Sequence, residues 1–153
     1  LGAKGARQSE ASVAQSFRSE DRPSIEVVMS YDPADLSAYL KGCSVGLFPS
    51  YLEGFGLGLI EMMAAGIPCF AYDVPGPRYI FRNCPDRLIP VGDWKQLVDR
   101  CEAETESSNY ERVVEQMRNE AMRLNWNEIA IATDRDYRAR LNQLQEDRKG
   151  KAR

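Results

Sequence analysis

The sequence predicts an α/β fold built on a parallel sheet, and three observations carry that prediction. Short apolar runs rich in β-branched residues alternate with helical segments between residues 25 and 101. The runs are apolar at consecutive positions, so both faces of each strand need cover, which parallel sheets with crossover helices supply. A glycine-rich turn, Gly54 to Gly58, joins one such strand to the next helix.

The elements follow in order. Val13, Ala14 and Phe17 give a weak helical stripe behind a Ser9 cap. Ile25 to Met29 reads as a buried strand, and Tyr31-Asp32-Pro33 as a turn in which Asp32 caps and Pro33 opens a helix stopped by Gly42. Val45 to Phe48 is the next strand. Leu57 to Ala65 forms a short helix that ends at Gly66, and Ile67 to Tyr72 follows as a strand. Val74-Pro75-Gly76-Pro77 leads into a helical stretch around Tyr79 to Phe81, Leu88 to Val91 is a further strand, and Asp93 with Gln96 forms a capping box. Two helical stripes close the chain: Val113, Met117, Ala121 and Leu124, then Trp126, Ile129, Thr133, Tyr137, Leu141 and Leu144. Both are expected to face the core, with residues 145–153 frayed.

Composition removes several kinds of chemistry. The 153 residues are 43% apolar and 28% charged, enough for one core. No apolar run is long enough to span a bilayer. Twenty basic against 23 acidic residues leave a net charge of -3, which disfavours nucleic-acid binding. There is no histidine, so His-dependent nucleophiles, His-ligated zinc and His proton shuttles are excluded within the chain. Cys43, Cys69, Cys84 and Cys101 lack CxxC spacing and read as reduced thiols of a cytoplasmic protein, with a peripheral membrane association of the full-length protein left open.

The informative stretch runs from Pro49 to Glu61. It leaves the carboxyl end of a strand and enters a helix N-terminus, where open α/β sheets bind ligands. Amides around Gly56 to Gly58, with the helix dipole behind them, suit phosphate or sugar oxygens. Glu53 and Glu61 flank the turn, and a carboxylate can accept from two vicinal hydroxyls. Acidic groups at both ends of a phosphate-cradling turn fit a ligand with hydroxyls on both sides of a diphosphate, the layout of a nucleotide sugar.

The pattern Pro-Ser-x-x-Glu-Gly-Phe-Gly-x-x-x-x-Glu, followed by Met63-Ala64-Ala65-Gly66-Ile67-Pro68 and Val74-Pro75-Gly76, resembles the donor-binding half of GT-B glycosyltransferases of the retaining family 4 type. A looser likeness takes in Asp35-Leu36, Pro90-Val91-Gly92-Asp93 and Asn125-Trp126. The resemblance implies a Rossmann-like parallel sheet flanked by helices. It implies a donor-binding set of Ser50, Glu53, Gly54, Phe55, Gly56, Leu57 and Glu61, with Glu53 as the catalytic residue at the sugar hydroxyls and Glu61 at the ribose. The donor would be a UDP- or GDP-sugar, the acceptor a carbohydrate or lipid-linked molecule, and neither metal nor cofactor would be needed.

On the same reading residues 1–153 form one incomplete nucleotide-sugar-binding domain, core about 23–104 and C-terminal helices about 109–146, that lacks its N-terminal acceptor domain and is inactive alone. The family's diphosphate-clamping Arg and Lys come from an early strand-loop-helix unit, for which no match precedes Ile25. Lys4-Gly5 stands too close to that strand. Arg78 replaces an acidic residue that the family often carries after Pro75-Gly76. Two alternatives stay open: an NAD-type dinucleotide-binding oxidoreductase domain, with Gly54, Gly56, Gly58 and Asp73 as fingerprint, and a non-catalytic interaction module.

Overall fold

The computed structural model describes residues 9–151, and their side chains to residue 145. Lys4 and Gly5 lie outside that range. The described residues divide into two compact units, the first ending at Cys43 and the second beginning at Ser44.

In the first unit, α1 (Glu10–Ala14) opens on a capping box in which Ser9 and Ser12 exchange side-chain and backbone hydrogen bonds. The Asp32 carboxylate accepts from the Ala34 amide at 2.9 Å, with Pro33 at the first position of a 3-10 turn that runs into α2 (Leu36–Leu40). Ile25 to Met29 is not a strand: Ile25 has extended backbone, but the segment enters no ladder. A β-branched run reports a preference for half-buried, extended backbone, while strand formation also needs a neighbour with which to exchange hydrogen bonds.

The second unit carries a parallel sheet of three strands in the order β1 (Gly46–Phe48), β2 (Cys69–Tyr72), β3 (Leu88–Ile89). Gly46 stands opposite Cys69, and Ala71 opposite Leu88. The other edge of β1 pairs with no strand among the described residues. Crossovers run through α3 (Leu57–Ala64) and then α4 (Pro75–Ile80). All three strands point the same way, so the loops after Phe48, Tyr72 and Ile89 gather at one end of the sheet.

Phe70, Tyr72 and Ile89 pack with Leu97 and Cys101 of α5 (Trp94–Thr105) in one buried cluster. Burying each large side chain contributes roughly 1.5–3 kcal/mol. Helix α6 (Tyr110–Met122) lies on α3, burying Val113, Met117 and Ala121, while Leu59 and Met63 are buried on α3. Gly66, at φ +84°, ends α3 under the Arg118 guanidinium.

The last stripe departs from expectation. Helix α7 (Trp126–Lys151) leaves Trp126, Tyr137, Leu141 and Leu144 exposed, and it extends to Lys151, into the segment 145–153 expected to fray. Amphipathic periodicity identifies a helix with an apolar side; it does not supply anything to cover that side. No described helix is long and apolar enough to cross a membrane.

The thiols of Cys69, Cys84 and Cys101 are buried and free. Burial pushes Cys69 up to about 12 and the other two up to about 11, so they stay protonated and unreactive near neutrality. Asp93 caps α5 by accepting from the Gln96 amide at 3.0 Å. Asp93→Ala is expected to cost about 1 kcal/mol of stability, read as a lowered urea midpoint at unchanged slope.

Candidate functional site

The loops at the carboxyl ends of the strands form the candidate site, and the one after β1 is the longest. It runs through Pro49 and half-buried Ser50 to Gly56, where α3 begins. Gly56 takes the N-cap position at φ +99°, a left-handed conformation that a side chain would strain. Its carbonyl accepts from Leu59 at 3.0 Å and from Ile60 at 3.2 Å. The Leu57 and Gly58 amides precede the first intrahelical donors, and a glycine cap has no side chain to satisfy them. They supply the donors, and the dipole of α3 the positive end, that an anionic ligand would meet.

Glu53 folds over this turn. Its Oε1 accepts from the Phe55 amide at 3.2 Å, and its other carboxylate oxygen makes no hydrogen bond among the described residues. One oxygen thus shapes the Glu53-Gly54-Phe55 turn. Its carbonyl accepts from the Gly76 amide at 3.3 Å, which ties the turn to the loop after β2.

Glu61 is exposed in the second turn of α3. It lines a cavity of about 280 Å³ with Leu57, Ile60, Asn125 and Trp126. The structure therefore brings Glu53, Gly54, Phe55, Gly56 and Leu57 together in one turn, with Ser50 at its base. Glu61 stands one helical turn along, toward the junction of α6 and α7.

Asn125 is a residue that sequence reading left without a role. Its Oδ1 accepts from Glu128 at 3.0 Å and its Nδ2 donates to the Met122 carbonyl at 2.9 Å, so it both caps α7 and ties it to the end of α6. An Asn three residues before a Glu is a cap signal the sequence did carry. Beside Phe55, an apolar hollow of about 450 Å³ is lined by Gly54, Tyr79, Leu124, Trp126 and Ile129.

The other two loops brace the first. Tyr51 packs edge-on against Tyr72, ring centroids 5.4 Å apart. Burial, Tyr51 and then Asp93 hold the Tyr72 phenol above its ordinary range, so it stays neutral. Arg78 donates to the Asp73 carboxylate at 2.7 Å and to the Asp73 carbonyl at 3.3 Å. Both side chains of this pair are exposed.

Residues 19–123 match the family model for glycosyl transferases group 1. The chain belongs to that family. The solved structure of a sucrose-phosphate synthase from Thermosynechococcus elongatus resembles this group 1 domain with a TM-score of 0.68 and 28% identity, over 86% of this chain and 33% of that one. A glycogen [starch] synthase of Dictyostelium discoideum is 36% identical over 70 residues, 44% of this chain and 8% of that protein. The chain thus spans a small part of either relative's length. The fold is that of a GT-B glycosyltransferase domain.

Proposed function

We propose that this group 1 domain binds a nucleoside diphosphate sugar across the turn from Glu53 to Glu61 and serves retaining, metal-independent transfer of a hexosyl group, as in the family 4 type. The observation that carries the reading is the turn itself. The Glu53 carboxylate is held against the turn by the Phe55 amide, and the same turn ends at a glycine-capped helix start whose Leu57 and Gly58 amides precede the first intrahelical donors. As the bond from the anomeric carbon to the phosphate oxygen breaks, negative charge develops on the departing diphosphate. Fixed amides and a helix dipole stabilise such charge without reorganising. Glu53 would hold the sugar hydroxyls and Glu61 the ribose hydroxyls, with Ser50 and the backbone of Gly54, Phe55 and Gly56 lining the path between. The acceptor, a carbohydrate or lipid-linked molecule, would be held by a separate acceptor domain.

Glu61→Ala is the test, made in the full-length protein. A charge-assisted hydrogen bond is worth roughly 1.5–3 kcal/mol, and Glu61 is exposed, so a loss of about tenfold in affinity for UDP or GDP is expected by calorimetry. Unchanged affinity would remove Glu61 from the ribose.

The dinucleotide alternative is less well supported: the third glycine, Gly58, falls one position early for the fingerprint, and Asp73, which would receive a ribose, pairs with Arg78. The exposed apolar side of α7 is the one observation that favours an interaction module. Donor binding without any transfer by the full-length protein would support that reading.

A further inference from the structure

Helix α4 carries none of the residues assigned to the donor, yet it touches the donor turn at successive points. The Gly76 amide donates to the Glu53 carbonyl at 3.3 Å. A Cβ on Gly76 would stand 2.7 Å from the Phe55 carbonyl oxygen, 2.9 Å from its carbon and 3.1 Å from the Phe55 Cα. All three are backbone atoms, so no side chain can swing aside. One turn later Ile80, buried, reaches the turn with its Cδ1, which lies 3.2 Å from where a Cβ on Gly56 would be. The Tyr79 ring lies 6.5 Å from that of Phe55. At the start of α4, Arg78 donates to both the carboxylate and the carbonyl of Asp73, just past the end of β2.

We propose that Gly76 is a positioning residue for the donor turn, and that the Arg78–Asp73 pair is the brace that holds α4 in place to do it. The chain of contact runs from the end of β2 through Arg78 to α4, and from Gly76 to the backbone of Glu53 and Phe55. This gives Arg78 a role that needs no contact with phosphate. The inference rests on the donor reading above for its consequence in transfer, but its structural part concerns only the backbone of residues 53–56.

Gly76→Ala decides it. The added methyl must push the Phe55 carbonyl away, which shifts Glu53 with it, and a displacement of about 1 Å at a reacting group costs on the order of 100-fold in rate. Three readouts on the full-length protein separate positioning from loss of structure. Amide resonances of Gly54, Phe55 and Gly56 are expected to shift, with those of α5 unmoved. Affinity for bare UDP or GDP is expected to stay within about twofold, because Leu57, Gly58 and Glu61 belong to α3. Turnover of UDP-glucose or GDP-mannose, whichever the parent uses, is expected to fall in kcat on the order of 100-fold.

Unshifted Gly54 to Gly56 amides, or unchanged kcat, overturn the proposal. Should Gly76→Ala not fold, Arg78→Gln takes its place, since Arg78 is exposed: the same amides must shift and kcat must fall several-fold, and an unchanged spectrum overturns the brace. If neither nucleotide binds the parent, the donor reading is what fails. The amide shifts, which need no ligand, still decide whether α4 sets the turn.

Discussion

Glu53→Ala is expected to lower nucleotide-sugar turnover by the full-length protein on the order of 100-fold while leaving affinity for the bare nucleoside diphosphate within about twofold. Two losses combine. The substitution removes the carboxylate proposed to hold the donor sugar hydroxyls, and with it the Oε1 that accepts from the Phe55 amide and shapes the turn. A hydrogen bond to a charged group is worth roughly 1.5–3 kcal/mol, so one such loss in the transition state is a factor of about 10 to 150. Glu53→Gln separates the parts, because a glutamine can still accept from Phe55 but carries no charge. It is expected to keep the amide spectrum of the turn and still lose most of the turnover. Full turnover by Glu53→Ala would remove this carboxylate from the chemistry.

The legible parts of this fold were those set by neighbours in sequence. Asp32 and Asp93 cap because a short carboxylate reaches an amide two or three residues on, and Gly66 stops α3 because no tertiary contact is needed to favour φ +84° at glycine. Strands β1, β2 and β3 sit within the predicted runs because each is apolar on both faces and finds a partner. Ile25 to Met29 is likewise rich in apolar residues but pairs with no strand among the described residues, and an apolar run does not by itself distinguish the two cases. The stripe on α7 likewise predicted a helix and misplaced its cover.

The site divides the same way. The turn from Glu53 to Leu57 was readable because its glycines, its acid and its helix start are contiguous. The grip of Gly76 on Phe55 was not, since close approach between segments distant in sequence leaves only a glycine as its trace. Arg78, which stands where the family often carries an acidic residue, pairs with Asp73, a contact that its place in the motif did not foretell.

Glu104→Ala is expected to destabilise the protein by about 3 kcal/mol, the lower end of the range for breaking a buried ion pair. Arg87 and Glu104 are only 5% and 8% exposed, and the Arg87 Nη1 donates to Glu104 Oε2. The pair fastens the lead into β3 to α5, across the Phe70 ring over which the Arg87 guanidinium lies at 4.7 Å. Removing the carboxylate leaves a buried cation whose remaining charge partner is the exposed Asp86 at 3.7 Å, and that partial substitute places the cost at the lower end. Arg87 Nε already lacks a hydrogen-bond acceptor among the described residues, so the pair is incompletely satisfied even in the parent. The double change Arg87→Met with Glu104→Leu removes both charges and the orphaned N–H together. It is therefore expected to be close to neutral or stabilising, because desolvating two charges offsets most of what their attraction returns. Urea unfolding of the parent, the single and the double variant checks this. A single variant within 1 kcal/mol of the parent, or a double variant less stable than the single, would show that the interior here is not dry enough for an unpaired charge to matter.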